Sequence, residues 1–221
     1  MSDEIDPDNI LTAEGYEVPR TLDELSVWWW SKYQLFAATK AGRAYAREGN
    51  GLLIKKFHDE AQPMIAYMRR FPPKAGVRCK LLAGNEEEDA LYVDSSGSVA
   101  RKFQITTAVD GRTEKLRRRQ LTRVGHVDGL AKLTDDDEIP DDALPSDRYS
   151  LIEEMAAYVL AAIERKNEKG YDPGFTLIVG FNDNTFDGEE DLSRFRMHIG
   201  NPTHKFAELY IVGILGHIAI P

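Results

Sequence analysis

An α/β fold is the class the sequence predicts, with a mixed sheet flanked by helices and a helical extension ahead of it. Three observations predict it. Apolar residues recur at helical spacing up to residue 71, then alternate between residues 77 and 109. A long amphipathic pattern over residues 146–170 is followed by a continuous apolar run, 175–181, of the kind found in strands buried on both faces. At 221 residues the chain can bury a sizeable core. We divide it into an arm and Trp-rich helical extension, residues 1–50, and an α/β domain, residues 51–221.

Residues 1–20 are acid-rich with little periodicity and read as an arm or loop. Thr21 and Glu24 form a capping-box signature, so a helix starts there and runs through Val27, Trp28 and Leu35 toward Arg47. Trp28, Trp29 and Trp30 cannot share one helix face, so at least one ring meets a second surface, whether core, neighbour or partner. Gly49, Asn50 and Gly51 break the helix. The next carries Leu53, Phe57, Met64, Met68 and Phe71, with Pro63 predicting a kink or restart. Strands follow at 77–83, 90–93 and 99–109, the last with Phe103 and Ile105 on one face and Lys102, Gln104 and Thr106 on the other. A basic helix is expected over 113–124, then an acidic linker over 135–142. Ser146 is the expected cap of the long helix, whose stripe is Leu151, Ile152, Met155, Val159, Ala162 and Ile163; Lys166, Lys169 and Gly170 close it. A strand at 175–181, a short helix at 192–199 and strands at 207–212 and 217–220 complete the chain.

The formal charge of −9 argues against a protein that coats nucleic acid by bulk charge. A local basic groove stays compatible with it, because Lys115, Arg117, Arg118, Arg119 and Arg123 cluster in one stretch. The single cysteine, Cys79, rules out an internal disulfide and fits a reducing compartment. Residues 1–8 lack a signal pattern. The apolar stretch 206–220 is short for a membrane helix and holds Glu208, Gly213, Gly216 and His217. A cytoplasmic protein with no membrane partner is the expectation.

From residue 52 onward the order helix, three strands, long helix, strand resembles the αβββαβ core of the restriction-endonuclease-like, or PD-(D/E)XK, superfamily. The local motif that carries the likeness is short. Glu88-Asp89 precedes the strand Ala90-Leu91-Tyr92-Val93, as the family's first acid enters its strand after a turn. Gln104-Ile105-Thr106 stands where the family has acid, apolar residue and lysine. The resemblance implies that Asp89, Gln104 and Glu60, an acid of the preceding helix, form a Mg²⁺ shell. Two carboxylates suit a hard cation that keeps part of its water and takes phosphate oxygens. This chain departs from the pattern: Gln104 supplies a neutral carbonyl and Thr106 no cation. Lys102, two residues earlier on the same strand face, is the candidate for the lost charge. Without the resemblance, Glu60 reads equally well as a helix-surface acid and Asp89 as a turn residue.

Other signals carry less. Asp183, Thr185, Asp187 and Gly188 begin like a calcium loop, but Arg194 stands where the bidentate glutamate belongs. His126 and Asp128 form a lone His-x-Asp pair typical of turns, and the remaining histidines lack metal-ligand spacing. Cys79 reads as a buried structural thiol. Two functional expectations follow. One is a divergent nuclease-fold protein acting on or binding DNA, with Mg²⁺-dependent phosphodiester hydrolysis. The other is a non-catalytic descendant, a nucleic-acid-binding or protein-interaction component of a phage or bacterial defence assembly. In that case the basic helix makes phosphate contacts rather than forming a solvated face, and a homodimer or larger assembly is compatible with the Trp-rich helix.

Overall fold

A computed structural model describes residues 6–48, 51–109, 147–184, 186–214 and 219–220. The chain is α/β, as expected. Its helices are α1 (Ala13–Tyr16), α2 (Leu22–Ala38), α3 (Lys40–Glu48), α4 (Leu52–Lys56), α5 (Gln62–Arg70), α6 (Arg148–Glu168) and α7 (Glu189–Ile199). Its strands are β1 (Arg78–Leu81), β2 (Ala90–Val93), β3 (Val99–Thr107), β4 (Thr176–Phe181), β5 (Glu208–Gly213) and β6 (Ala219–Ile220). Among the described residues the sheet follows sequence order, β1 to β6. β1, β2 and β3 form an antiparallel meander, β3, β4 and β5 run parallel, and β6 returns antiparallel. Parallel neighbours need crossovers, and α6 and α7 supply them.

Both faces of the sheet are covered, which is why every residue of β4 is buried. One face packs Phe103, Ile105, Ile178 and Val212 against α2, α4 and α5. The other packs Leu177, Val179, Phe181 and Ile211 against α6 and α7. No helix among the described residues is long and apolar enough to cross a membrane.

The amino-terminal residues do more than form an arm. Ile10, Leu11 and Tyr16 are buried in the first of these cores, and Arg20 pairs with Cys79 through two backbone hydrogen bonds of 2.8 Å, covering the outer edge of β1. The Arg20 guanidinium donates to the carbonyls of Tyr16, at 3.2 Å, and Val18, at 2.9 Å, and lies 4.5 Å from the Trp28 ring centroid. The Thr21–Glu24 capping box forms, but α2 stops at Ala38 and Thr39 separates it from α3. The tryptophans divide as their spacing requires. Trp28 meets Tyr16 and Phe57 edge-on, Trp29 stacks on Phe57 at 5.5 Å, and Trp30 is exposed.

Pro63 stands in the first turn of α5, at the restart it predicts. A π-helical turn, Phe57–Ala61, joins α4 to α5 just ahead of it. Proline has no N–H for the carbonyl four residues earlier and its ring crowds that carbonyl. Widening the preceding turn relieves the crowding, and the Asp59 carbonyl accepts instead from Thr107 Oγ1 of β3 at 3.1 Å. The ring itself lies on the sheet. A Cβ at Gly180 would sit 2.5 Å from Pro63 Cγ, so glycine in β4 allows the approach. The long helix, α6, is capped by Asp147, whose carboxylate accepts from Tyr149 N at 3.0 Å and Ser150 N at 3.1 Å; Ser146 lies outside the described residues.

Candidate functional site where the second and third strands part

β2 begins at Ala90, opposite Phe103. Beyond that point β3 continues with β4 on one side and loses β2 on the other. The backbone of Ile105 would be unpaired there, and Asp89 fills the gap by accepting from Ile105 N at 2.7 Å. The same departure makes room for the π turn that rests on Thr107. A gap between diverging strands and a carboxylate at its mouth thus share one cause, and the turn that Pro63 widens lies above them.

Four further side chains converge on Asp89. Lys56, at the end of α4, lies 3.3 Å from Glu60 and 3.8 Å from Asp89 Oδ1. Lys166, from the last turns of α6, lies 3.4 Å from Asp89 Oδ2 and donates to Gln104 Oε1 at 2.5 Å. Glu60 is carried by the π turn and is buried; Gln104 on β3 is 1 % exposed. The structure therefore brings together Glu60, Asp89 and Gln104. Gln104 is held at both ends, because its Nε2 donates to the Glu87 carbonyl. A glutamate at position 104 would have no proton for that carbonyl, so the local backbone suits an amide.

The other expected residues fall elsewhere. Lys102 pairs with Glu88 and extends over the Phe175 ring at 5.4 Å, so its charge is spent outside the cluster. Thr106 follows on the strand, half-buried. Lys115, Arg117, Arg118, Arg119 and Arg123 lie outside the described residues, as do the acidic linker and the pair His126 and Asp128. Two lysines escaped sequence reasoning. Lys56 and Glu60 stand at i and i+4, a spacing that predicts contact. Lys166 reads as an ordinary helix-closing charge, and only the packing of α6 across the sheet buries it.

Burial dominates the electrostatics. Desolvation, helped by the nearby Asp89 charge and opposed by Lys56, pushes the Glu60 carboxyl up to about 8. Desolvation lowers Lys166 while Asp89 pulls it back. One more group belongs to this field. Tyr16 of α1 is fully buried, and its phenol is raised well above the usual range first by burial, then by Glu60 and Asp89. Cys79, also buried, is pushed up to about 12 by desolvation, with Arg20 opposing. Among the described residues no three His, Cys, Asp or Glu side chains gather as a metal cage. Two carboxylates and one carboxamide oxygen do gather, with two ammonium groups between them. No family model, curated protein or solved structure matches the chain.

Proposed function

We propose that the chain is a divergent nuclease-fold protein that acts on or binds DNA, with Mg²⁺-dependent phosphodiester hydrolysis as its chemistry. The observation that carries this reading is the convergence of Glu60, Asp89, Gln104 and Lys166 where β2 leaves β3. The order of elements, helix, antiparallel meander, crossover helix, parallel strand, supports the restriction-endonuclease-like core that the sequence resembles. The donor set fits Mg²⁺ rather than a soft metal, being all oxygen, and fits a partly hydrated ion completed by substrate rather than a closed cage. Glu60, Asp89 and the Gln104 carbonyl oxygen would hold it. Bound there, it would polarise a phosphoryl oxygen and lower the pKa of a water.

The chain's own residues then divide the work. Asp89, fixed by Ile105 N, presents one carboxylate oxygen to the site and keeps the other on the backbone. Lys166 takes the part that Lys102 leaves open, an ammonium beside the reacting phosphate to balance its growing charge. Lys56, beside both carboxylates, offsets part of their charge. The test is cleavage of plasmid and linear DNA with Mg²⁺ or Mn²⁺. Asp89→Asn is expected to lower the rate by about 10³-fold and Lys166→Met by about 10²-fold, as losses of charge stabilisation at the reacting centre do. Cleavage that survives Asp89→Asn overturns the assignment.

One observation favours a second reading. Lys56 and Lys166 already pair with the two acids, and Gln104 is engaged at both ends. A non-catalytic descendant, binding nucleic acid through Lys115, Arg117, Arg118, Arg119 and Arg123, accounts for that. It predicts metal-independent DNA binding that weakens steeply with salt and disappears in an Arg117→Gln, Arg118→Gln, Arg119→Gln triple variant. No DNA binding at low salt removes it.

A further inference from the structure

α2 is apolar on more sides than its own fold covers. Its inner side is fixed: Leu25 and Phe36 are buried, and Trp29 stacks on Phe57 and donates from Nε1 to the Phe57 carbonyl at 3.4 Å. Helical periodicity puts Asp23, Val27, Trp30, Gln34 and Ala37 in one strip on the other side, and all five are exposed. Their steps of four, three, four and three residues are those of a seam between paired helices. Val27 is 69 % and Trp30 53 % exposed, and the exposed Tyr33 ring stacks on Trp30 at 5.5 Å, widening the apolar surface. A helix with apolar strips on opposite sides ordinarily has cover on both.

Charge says what that cover is. Between Asp23 and Ala37 the strip holds no charged residue; Lys32 stands off it, half-buried on the flank of Leu25 and Trp28. The two ends carry opposite signs. Asp23 and Glu24 stand in the first turn, and Lys40 and Arg43 open α3 just past the last. Glu24 is held by Arg78, and the Arg43 guanidinium donates to the Ala37 carbonyl at 2.6 Å. Asp23 and Lys40 are exposed, and neither has an ion-pair partner among the described residues. Such a helix matches a copy of itself in one orientation. Laid in the same direction, acid meets acid and base meets base. Turned end for end about Trp30, the middle residue of α2, Val27 faces Gln34 of the second copy, and Asp23 comes beside its Ala37 and within a long side chain's reach of its Lys40. Nucleic acid fits the strip poorly, because its length offers phosphate no cation.

We propose that the outer face of α2 is a dimerisation surface, and that its partner is a second copy of this chain, paired antiparallel about a twofold axis at Trp30. Trp30 packs against its own copy at the centre, Val27 and Tyr33 extend the apolar contact, and Asp23 pairs with Lys40 at both ends. One helix pair is a small interface, below the about 1,200 Å² where standard interfaces begin, so the dimer is weak, with a dissociation constant on the order of 10 µM. The inference is independent of the nuclease reading, since it uses none of Glu60, Asp89, Gln104 or Lys166.

The test is analytical ultracentrifugation of the full-length chain at low salt, from about 1 to about 300 µM, a range that brackets the expected constant. The wild type should pass from monomer to dimer and go no further, as a closed twofold pair does. Trp30→Glu, at the centre, should weaken association about 100-fold, with the melting temperature of the monomer unchanged because the ring it replaces is exposed. A pair of charge reversals leaves the apolar strip intact. Asp23→Lys and Lys40→Asp should each weaken the dimer about tenfold by setting like charges together at both ends, and the Asp23→Lys, Lys40→Asp double variant should restore it. A chain that stays monomeric throughout the range, an assembly larger than a dimer, or a dimer untouched by Trp30→Glu overturns the inference. So does a double variant that associates no better than its two parents.

Discussion

Two buried carboxylates of this protein, Asp191 and Glu60, have opposite fates. Asp191, in the first turn of α7, accepts from Asp187 N at 2.7 Å and from the Arg148 guanidinium, with Nε at 2.9 Å. Burial alone would raise it, but the backbone amide and the arginine outweigh burial and hold it below the usual carboxylate range. Glu60 has a lysine and a second carboxylate for neighbours, and burial lifts it to about 8. A carboxylate bound by a backbone amide and a forked cation joins two helices and stays charged. One left beside another acid in a widened turn is poised between charge states, as groups at reactive sites are. The difference separates a structural ion pair from a candidate site without appeal to relatives.

The sharpest way to break this contrast is the pH dependence of stability. A raised carboxyl favours the fold fully below its unfolded pKa, and that contribution is lost as pH rises through the folded pKa. In chelator, Glu60→Gln should therefore gain on the wild type as pH rises from about 4.5 to about 8, by roughly 2–4 kcal/mol, then hold level. Urea unfolding across that window measures it. A flat difference would mean that Lys56 keeps Glu60 charged throughout. Asp191 has the opposite sign: its contribution is present at neutral pH and fades as pH falls through its depressed pKa. Asp191→Ala should cost about 2–3 kcal/mol at pH 7 by leaving the Asp187 amide and Arg148 without their acceptor. It should leave Mn²⁺ affinity unchanged. The smallest expected effect concerns the π turn. Thr107→Val removes the hydroxyl that serves the Asp59 carbonyl and should cost about 1 kcal/mol in denaturant unfolding, whereas Thr107→Ser should cost less than half as much. Equal losses from both would assign the effect to packing.

Much of the fold was legible because its signals are local. The Thr21–Glu24 box, the alternation through Phe103 and Ile105, and the apolar run of β4 each report the surroundings of adjacent residues, and each element lies where its pattern predicts. The misreadings have local causes too. Residues 10–16 carry too few apolar positions to show a period, yet Ile10, Leu11 and Tyr16 are buried. Pro63, by contrast, signals a kink or restart and one is there: a widened turn precedes α5, and glycine at position 180 lets the proline ring lie on the sheet.

The sequence by itself determined which residue types could do chemistry and on which strand face Gln104 stands, because alternation within a strand is a short-range rule. Which of them meet was decided by tertiary structure. Lys166 is 77 positions from Asp89, and its arrival follows from the way α6 crosses the sheet between β3 and β4. Lys102, adjacent in sequence to the motif, was drawn instead to Glu88. Charge pairing follows distance in space and burial, and neither is written in the spacing of residues along the chain.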